Sequence, residues 1–168
     1  MNLEEYNIYD NEYLECVSEL LENDSVQSMR KYIQHGTTTT FDHCVAVSYE
    51  SYKIAKKMGM DYRSVARAGL LHDLFLYDWH KNPEKKPLFQ KHGFTHPFRA
   101  LKNASDLFDL NDIEKDIIAK HMWPLTLTHI PKYKESFVVL MVDKHRSTAE
   151  TFEPLTVKFS NIFSKNPF

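Results

Sequence analysis

The stretch "AGLLHDLFLYDW" (residues 68–79) sets two ionisable groups, His72 and Asp73, at the end of a run of small and apolar residues. Taking such groups out of water without a compensating partner costs roughly 2–7 kcal/mol for a polar group and more for a charge. The doublet therefore needs a partner, which the rest of the chain must supply. Asp61 can cap the segment, and "YRSVARAGLLHDLF" continues as a helical pattern from Tyr62 to Phe75. Ala66, Ala68 and Gly69 within it admit a close neighbouring helix.

Outward from this segment the chain reads as helices. No proline occurs before Pro83 and there are four glycines in all, so the first half permits long helices. Residues 10–22 and 24–35 read as two of them, the second ending at Gly36. The threonine run then offers caps for a helix from about Phe41 to Met58, which Gly59 stops. Residues 77–94 carry two prolines, a glycine and four lysines, the composition of a long loop of the kind that serves as a lid or binding element. Pro97 suits a first helical position and predicts a helix from near His96 to about Phe108. "LNDIEKDIIAKHMW" reads as a capped helix stopped by Pro124, and "KESFVVLMVDKHRSTAET", after Pro131, as another. The tail from Phe152 reads either as a final helix or as a segment docked on the body or on a partner. Five to eight helices without a convincing strand predict an all-α fold. The expected organisation is a single domain over 1–168, with a core at about 35–150, N-terminal helices over 1–34 and a tail over 151–168.

Composition narrows the function. A chain of 168 residues with 42% hydrophobic and 13% aromatic content can bury a sizeable core. A formal charge of -2 gives no support for nucleic-acid binding or a polybasic membrane contact. Cys16 and Cys44 form neither a disulfide framework nor a cysteine metal motif. No window approaches 18 apolar residues, and the acidic start lacks a leader pattern, so the expected compartment is the cytoplasm. The nine histidines are the unusual count.

Helical spacing sorts them, because positions three and four apart share a face. His43 heads a stripe with Val47, Ile54 and Met58. His72 follows Ala68 and Gly69, Asp73 follows Gly69 and Leu70, His121 follows Ile117 and Ile118, and Asp143 follows Val139 and Leu140. His96 sits at a helix start, with Ala100 one turn on. Any one inward histidine has an ordinary explanation as a hydrogen-bonded core residue. Four imidazoles and two carboxylates together cannot easily satisfy one another, yet all can bind metal, and they suit Mn²⁺, Fe²⁺ or Zn²⁺ better than Ca²⁺. One ion rarely takes six protein ligands; two ions sharing a carboxylate fit the count.

The ordered set His43, His72-Asp73, His96, His121, Asp143, with its settings "TTFDHCVAV", "AGLLHD", "THPFRA", "AKHM" and "LMVDK", resembles the HD-domain metal-dependent phosphohydrolase superfamily over residues 35–150. The resemblance implies a bundle of about six to eight helices. It also implies that His43, His72, Asp73 and Asp143 surround one metal, while Asp73 bridges to a second completed by His96 and His121. The implied cofactors are two divalent transition metal ions, Fe or Mn foremost, with Zn, Co, Ni or Mg as alternatives. The implied activity is hydrolysis of a phosphate ester or anhydride of a small molecule, a nucleotide among the options, by a hydroxide bridging the two ions. Arg99 is the first candidate for the phosphate contact, ahead of Lys144 and Lys120. Where many relatives place a lysine or glutamate three residues past the doublet, this chain has Leu76, so Tyr77, Trp79 or the basic residues Lys81, Lys85, Lys86 and Lys91 are expected to shape the substrate end. His35 is placed near the site, His80 and His92 in the loop, and His129 and His145 away from it. Cys44 reads as a packed small residue. Two other readings share the ligand set: a mixed-valent diiron oxygenase on the same scaffold, and a non-catalytic module binding a nucleotide or metal. The expected partner is a phosphorylated small molecule, with no nucleic acid or membrane, and a homodimer is an option.

Overall fold

Local capping chemistry sets most of the helix boundaries. The computed structural model describes residue 6, residues 8–79, residue 87 and residues 90–164, with side chains described as far as 152. Seven α-helices dominate the described residues, and the fold is all-α as expected. Helix α1 (Asn11–Leu21) starts where the Asp10 carboxylate accepts from the Tyr13 amide. Helix α2 (Asp24–Ser28), capped by Asn23, runs into one 3₁₀ turn, Met29–Lys31.

Here the structure corrects the sequence reading. The second helix does not reach Gly36; residues from Ile33 turn into a short antiparallel hairpin, β1 (Ile33–His35) and β2 (Thr38–Thr39). Gly36, at a φ of 55°, takes the left-handed conformation that the turn requires, and the β-branched threonines favour the extended return strand.

Helix α3 (Thr40–Lys57) is capped by Thr39, whose hydroxyl accepts from the Asp42 amide, and Gly59 ends its last turn at a φ of 64°. Helix α4 (Tyr62–Leu71) is capped by Asp61 as expected, but it stops at Leu71 instead of running to Phe75. Leu76, beyond the helix end, has a φ of 58°, a region costly for a branched side chain and incompatible with a helix continued to this point. Helix α5 (His92–Leu107) begins a turn earlier than expected and holds Pro97 in its interior. Helix α6 (Asp112–Lys120) opens on a capping box between Asn111 and Glu114 and ends before Pro124 is reached. Helix α7 (Lys134–Ser164) continues through Pro154, so its backbone resolves the ambiguous tail as helix.

The core collects Tyr13, Val17, Leu20, Phe41, Val45, Leu70, Leu71, Ile117, Ile118 and Val139 from five helices. The stripe expected below His43 holds only as far as Val47: Ile54 and Met58 are exposed. The second half of α3 instead turns Tyr52 inward, its ring 5.2 Å from that of Tyr13. Arg67 is buried and ties three helices, donating to Glu114 of α6 at 2.7 Å and to Glu19 of α1 at 3.1 Å. No helix among the described residues is long and apolar enough to cross a membrane.

The crossing of α3 and α4 places the site. A Cβ on Gly69 would lie 2.8 Å from the Ser48 Cα, and Ser48 also donates to the Ala66 carbonyl at 2.6 Å. Gly69→Ala is therefore expected to destabilise the protein. Overpacking against backbone costs about 1–3 kcal/mol, against a helix-propensity gain of about 1 kcal/mol. Thermal unfolding should show a lowered Tm, by roughly 2–4 °C per kcal/mol; an unchanged or raised Tm would mean that the helices separate freely.

Candidate metal centre

Two helices end on a histidine aimed at the same point. His72 is the C-cap of α4 and His121 the C-cap of α6. The last carbonyls of a helix lack intrahelical donors, and each histidine uses one. The Nδ1–H of His72 donates to the Gly69 carbonyl at 2.8 Å, and that of His121 to the Ile118 carbonyl at 2.9 Å. His96, one turn into α5, does the same with the His92 carbonyl at 2.9 Å. A neutral imidazole that donates from Nδ1 keeps a bare lone pair on Nε2, and these three Nε2 atoms converge.

The six residues of the expected set meet there, all buried. The Nε2 atoms of His96 and His121 are 2.7 Å apart. Asp73 Oδ1 lies 3.2 Å from His96 Nε2 and 3.6 Å from His121 Nε2. The other oxygen of Asp73 lies 3.4 Å from His72 Nε2. Asp143, brought in by α7, places Oδ1 at 3.2 Å from His43 Nε2 and 3.7 Å from His72 Nε2. His43, His72 and Asp73 form one group whose ligand atoms lie within 4.8 Å of one another, and Asp73, His96 and His121 form a second. Asp73 belongs to both.

This donor set fits divalent cations. His72 Nε2 and Asp73 Oδ1 are buried without a hydrogen-bond partner, which native interiors rarely tolerate. His96 and His121 turn two lone pairs towards each other while their protons are held by backbone carbonyls. Cations held by the two groups would satisfy these four atoms, and imidazole with carboxylate suits first-row transition metals.

The electrostatics agree. Burial alone would lower His43, but its hydrogen bonds to Asp143 and Glu150 hold it at about 10. His72 is likewise raised well above its ordinary value against burial, chiefly by Asp73. Burial would raise Asp73 and Asp143, yet the imidazoles keep both well below the usual carboxylate range. His121 is pushed down to about 3 by burial and by the neighbouring His96.

A cavity of about 1370 Å³ opens onto Asp73, His96, His121 and Asp143. Arg99 and Lys144 both line it. The Arg99 guanidinium sits 4.9 Å from the Tyr77 ring centroid, and Lys144 Nζ donates to Asp143 Oδ2 at 2.9 Å. Lys120, the third cation considered, is tied to Asp116 and does not line the cavity. Tyr77, Trp79 and Lys91 line it, as does His35, whose ring is 5.6 Å from that of His43. Lys81, Lys85, Lys86 and His80 lie outside the described residues. His129 packs on Phe98 and His145 is exposed. Cys44 is packed, as expected, with its sulfur 3.8 Å from His72 Nδ1.

Three supporting residues escaped the sequence reading. Glu150 Oε2 accepts from His43 Nδ1 at 2.9 Å, Ser147 donates to Asp143 Oδ1 at 3.1 Å, and Gln34 donates to Asp73 Oδ2 at 2.5 Å. Ser147 and Glu150 stand four and seven places after Asp143 on one helical face, a readable signal. Gln34 comes from the hairpin and left no periodic trace. His92, assigned to the loop, opens α5 and stacks between Trp79 and His96.

The HD domain family profile matches residues 40–147. The chain belongs to the HD domain family. No curated protein and no solved structure matches it. As an HD domain it falls in a superfamily of mostly metal-dependent phosphohydrolases that bind divalent ions. The matched span contains all six clustered residues and leaves Gln34, His35 and Glu150 outside.

A cation that takes the Nε2 atom of His43 displaces a proton, since the hydrogen bonds to Asp143 and Glu150 hold that imidazole at about 10 against its burial. Affinity for Mn²⁺ is therefore expected to rise with pH between 6 and 8, about tenfold per unit for each proton released. Calorimetry in buffers of different ionisation enthalpy measures the release; pH-independent binding would contradict the arrangement.

Proposed function

We propose that this HD domain is a metal-dependent phosphohydrolase acting on a phosphorylated small molecule. The observation that carries the proposal is Asp73, buried and shared by two groups of imidazoles, with one oxygen turned to each group. His43, His72, Asp73 and Asp143 would hold one divalent ion, and Asp73, His96 and His121 the other. Bound there, such ions supply Lewis acidity, lowering the pKa of water and offsetting charge on a phosphoryl group.

The remaining roles belong to the chain. Arg99 is exposed on the cavity wall and can meet phosphate oxygens with its planar fork of donors. Its place over Tyr77 limits how far it swings, and Tyr77 is held in turn by a 2.8 Å hydrogen bond between its hydroxyl and His92 Nδ1. Lys144 adds a second cation beside Asp143 and Lys91 a third at the cavity wall. Trp79 and Tyr77 bound the space in which the rest of the substrate lies.

The test is release of inorganic phosphate from a panel of phosphate monoesters and anhydrides by the purified chain with Mn²⁺. Asp73→Ala is expected to reduce it to background. Arg99→Ala is expected to raise KM by about tenfold or more, the magnitude of a lost charge-assisted hydrogen bond, with a smaller effect on kcat. Oxygen uptake without phosphate release from any compound would contradict the hydrolase reading and favour an oxygenase on the same ligands.

A further inference from the structure

One imidazole of the centre is held differently from the others. His72, His96 and His121 each rest their Nδ1–H on a neutral backbone carbonyl. His43 rests its own on the carboxylate of Glu150, at 2.9 Å, and Glu150 is only 8% exposed. Glu150 arrives on the face of α7 that also brings Asp143 and Ser147, so one helix delivers a carboxylate, its hydroxyl donor and the group behind His43. A carboxylate behind an imidazole holds the ring and its tautomer and makes the opposite nitrogen a stronger donor.

The two halves of the centre are therefore unequal. The half built on His43, His72, Asp73 Oδ2 and Asp143 Oδ1 has two carboxylates and an imidazole backed by a third. The half built on Asp73 Oδ1, His96 and His121 has one carboxylate and two imidazoles backed by neutral groups. Gln34 takes one lone pair of Asp73 Oδ2, and a carboxylate oxygen has another left. We propose that Glu150 is a positioning residue for the His43 half and makes it the tighter of two cation sites, so that the ions load in a fixed order. This rests on the reading that these residues hold two cations. Glu150 lies three residues beyond the span that matches the family.

The test is a titration of the full chain with Mn²⁺, the free ion followed by its EPR signal and folding followed by thermal unfolding. The wild type is expected to bind in two steps of different affinity, and His121→Ala is expected to remove the weaker one. Glu150→Ala should weaken the tighter step by about 10–100-fold and leave the weaker step within about twofold. Glu150→Gln, whose amide oxygen still accepts from Nδ1, should recover part of the loss. An unaltered tight step, or a change of equal size in both steps, would overturn the proposal, because a merely structural role moves both together. A wild-type chain that binds no Mn²⁺ would sink this proposal and the hydrolase reading alike. Selective loss of the tight step in a chain that releases no phosphate would uphold this proposal while that reading falls.

Discussion

Everything around the site follows from one carboxylate, Asp73, held away from water with imidazoles on both sides. Its Oδ1 has no hydrogen-bond partner, and neither has the adjacent Nε2 of His72. A buried polar atom left without a hydrogen-bond partner costs about 1–3 kcal/mol. Two lone pairs facing each other at 2.7 Å add to the cost. The arrangement is favourable once positive charge enters it. This one requirement explains why a small domain concentrates so many ionisable groups in its core.

Helix ends do most of the orienting. By finishing α4 and α6 on a histidine, the chain leaves a carbonyl free three residues back, and that carbonyl fixes the ring through Nδ1. The C-terminal end of each helix dipole then also faces the site, which favours a cation there. Gly69 serves twice, since its missing side chain lets α3 approach and its carbonyl holds His72. Packing and ligand orientation are thus the same feature seen at two scales. The substrate side follows a different logic: beyond the end of α4 the chain passes through Leu76 at a positive φ, and Tyr77 and Trp79 then line the cavity with Arg99.

Much of this was legible before any coordinates. Apolar periodicity placed the long helices, because an all-α core imposes a repeat that survives in the sequence. Asp61 and Gly59 announced their caps by local chemistry alone. The six clustered residues were found because polar groups on apolar stripes stand out, and their chain order matched a known pattern. The failures have physical causes as well. Ile33–His35 carries no glycine or proline to break a helix, and only tertiary pairing with Thr38–Thr39 makes it a strand. Pro97 marks a helix start by preference, yet α5 tolerates it six places in. Gln34 is borne on the short strand β1, and no periodicity encodes its position. Glu150 was readable from its spacing to Asp143, but a glutamate on a charged helix looks like solvated surface until the fold buries it.

The central claim is that Asp73 is shared between two cations. Crystals of the Mn²⁺-loaded protein, measured at the manganese absorption edge, test it most directly. The account predicts two anomalous peaks flanking Asp73, one within reach of His43, His72 and Asp143 and the other within reach of His96 and His121. A single peak in fully loaded protein, with His96 and His121 left out of contact with metal, would contradict it.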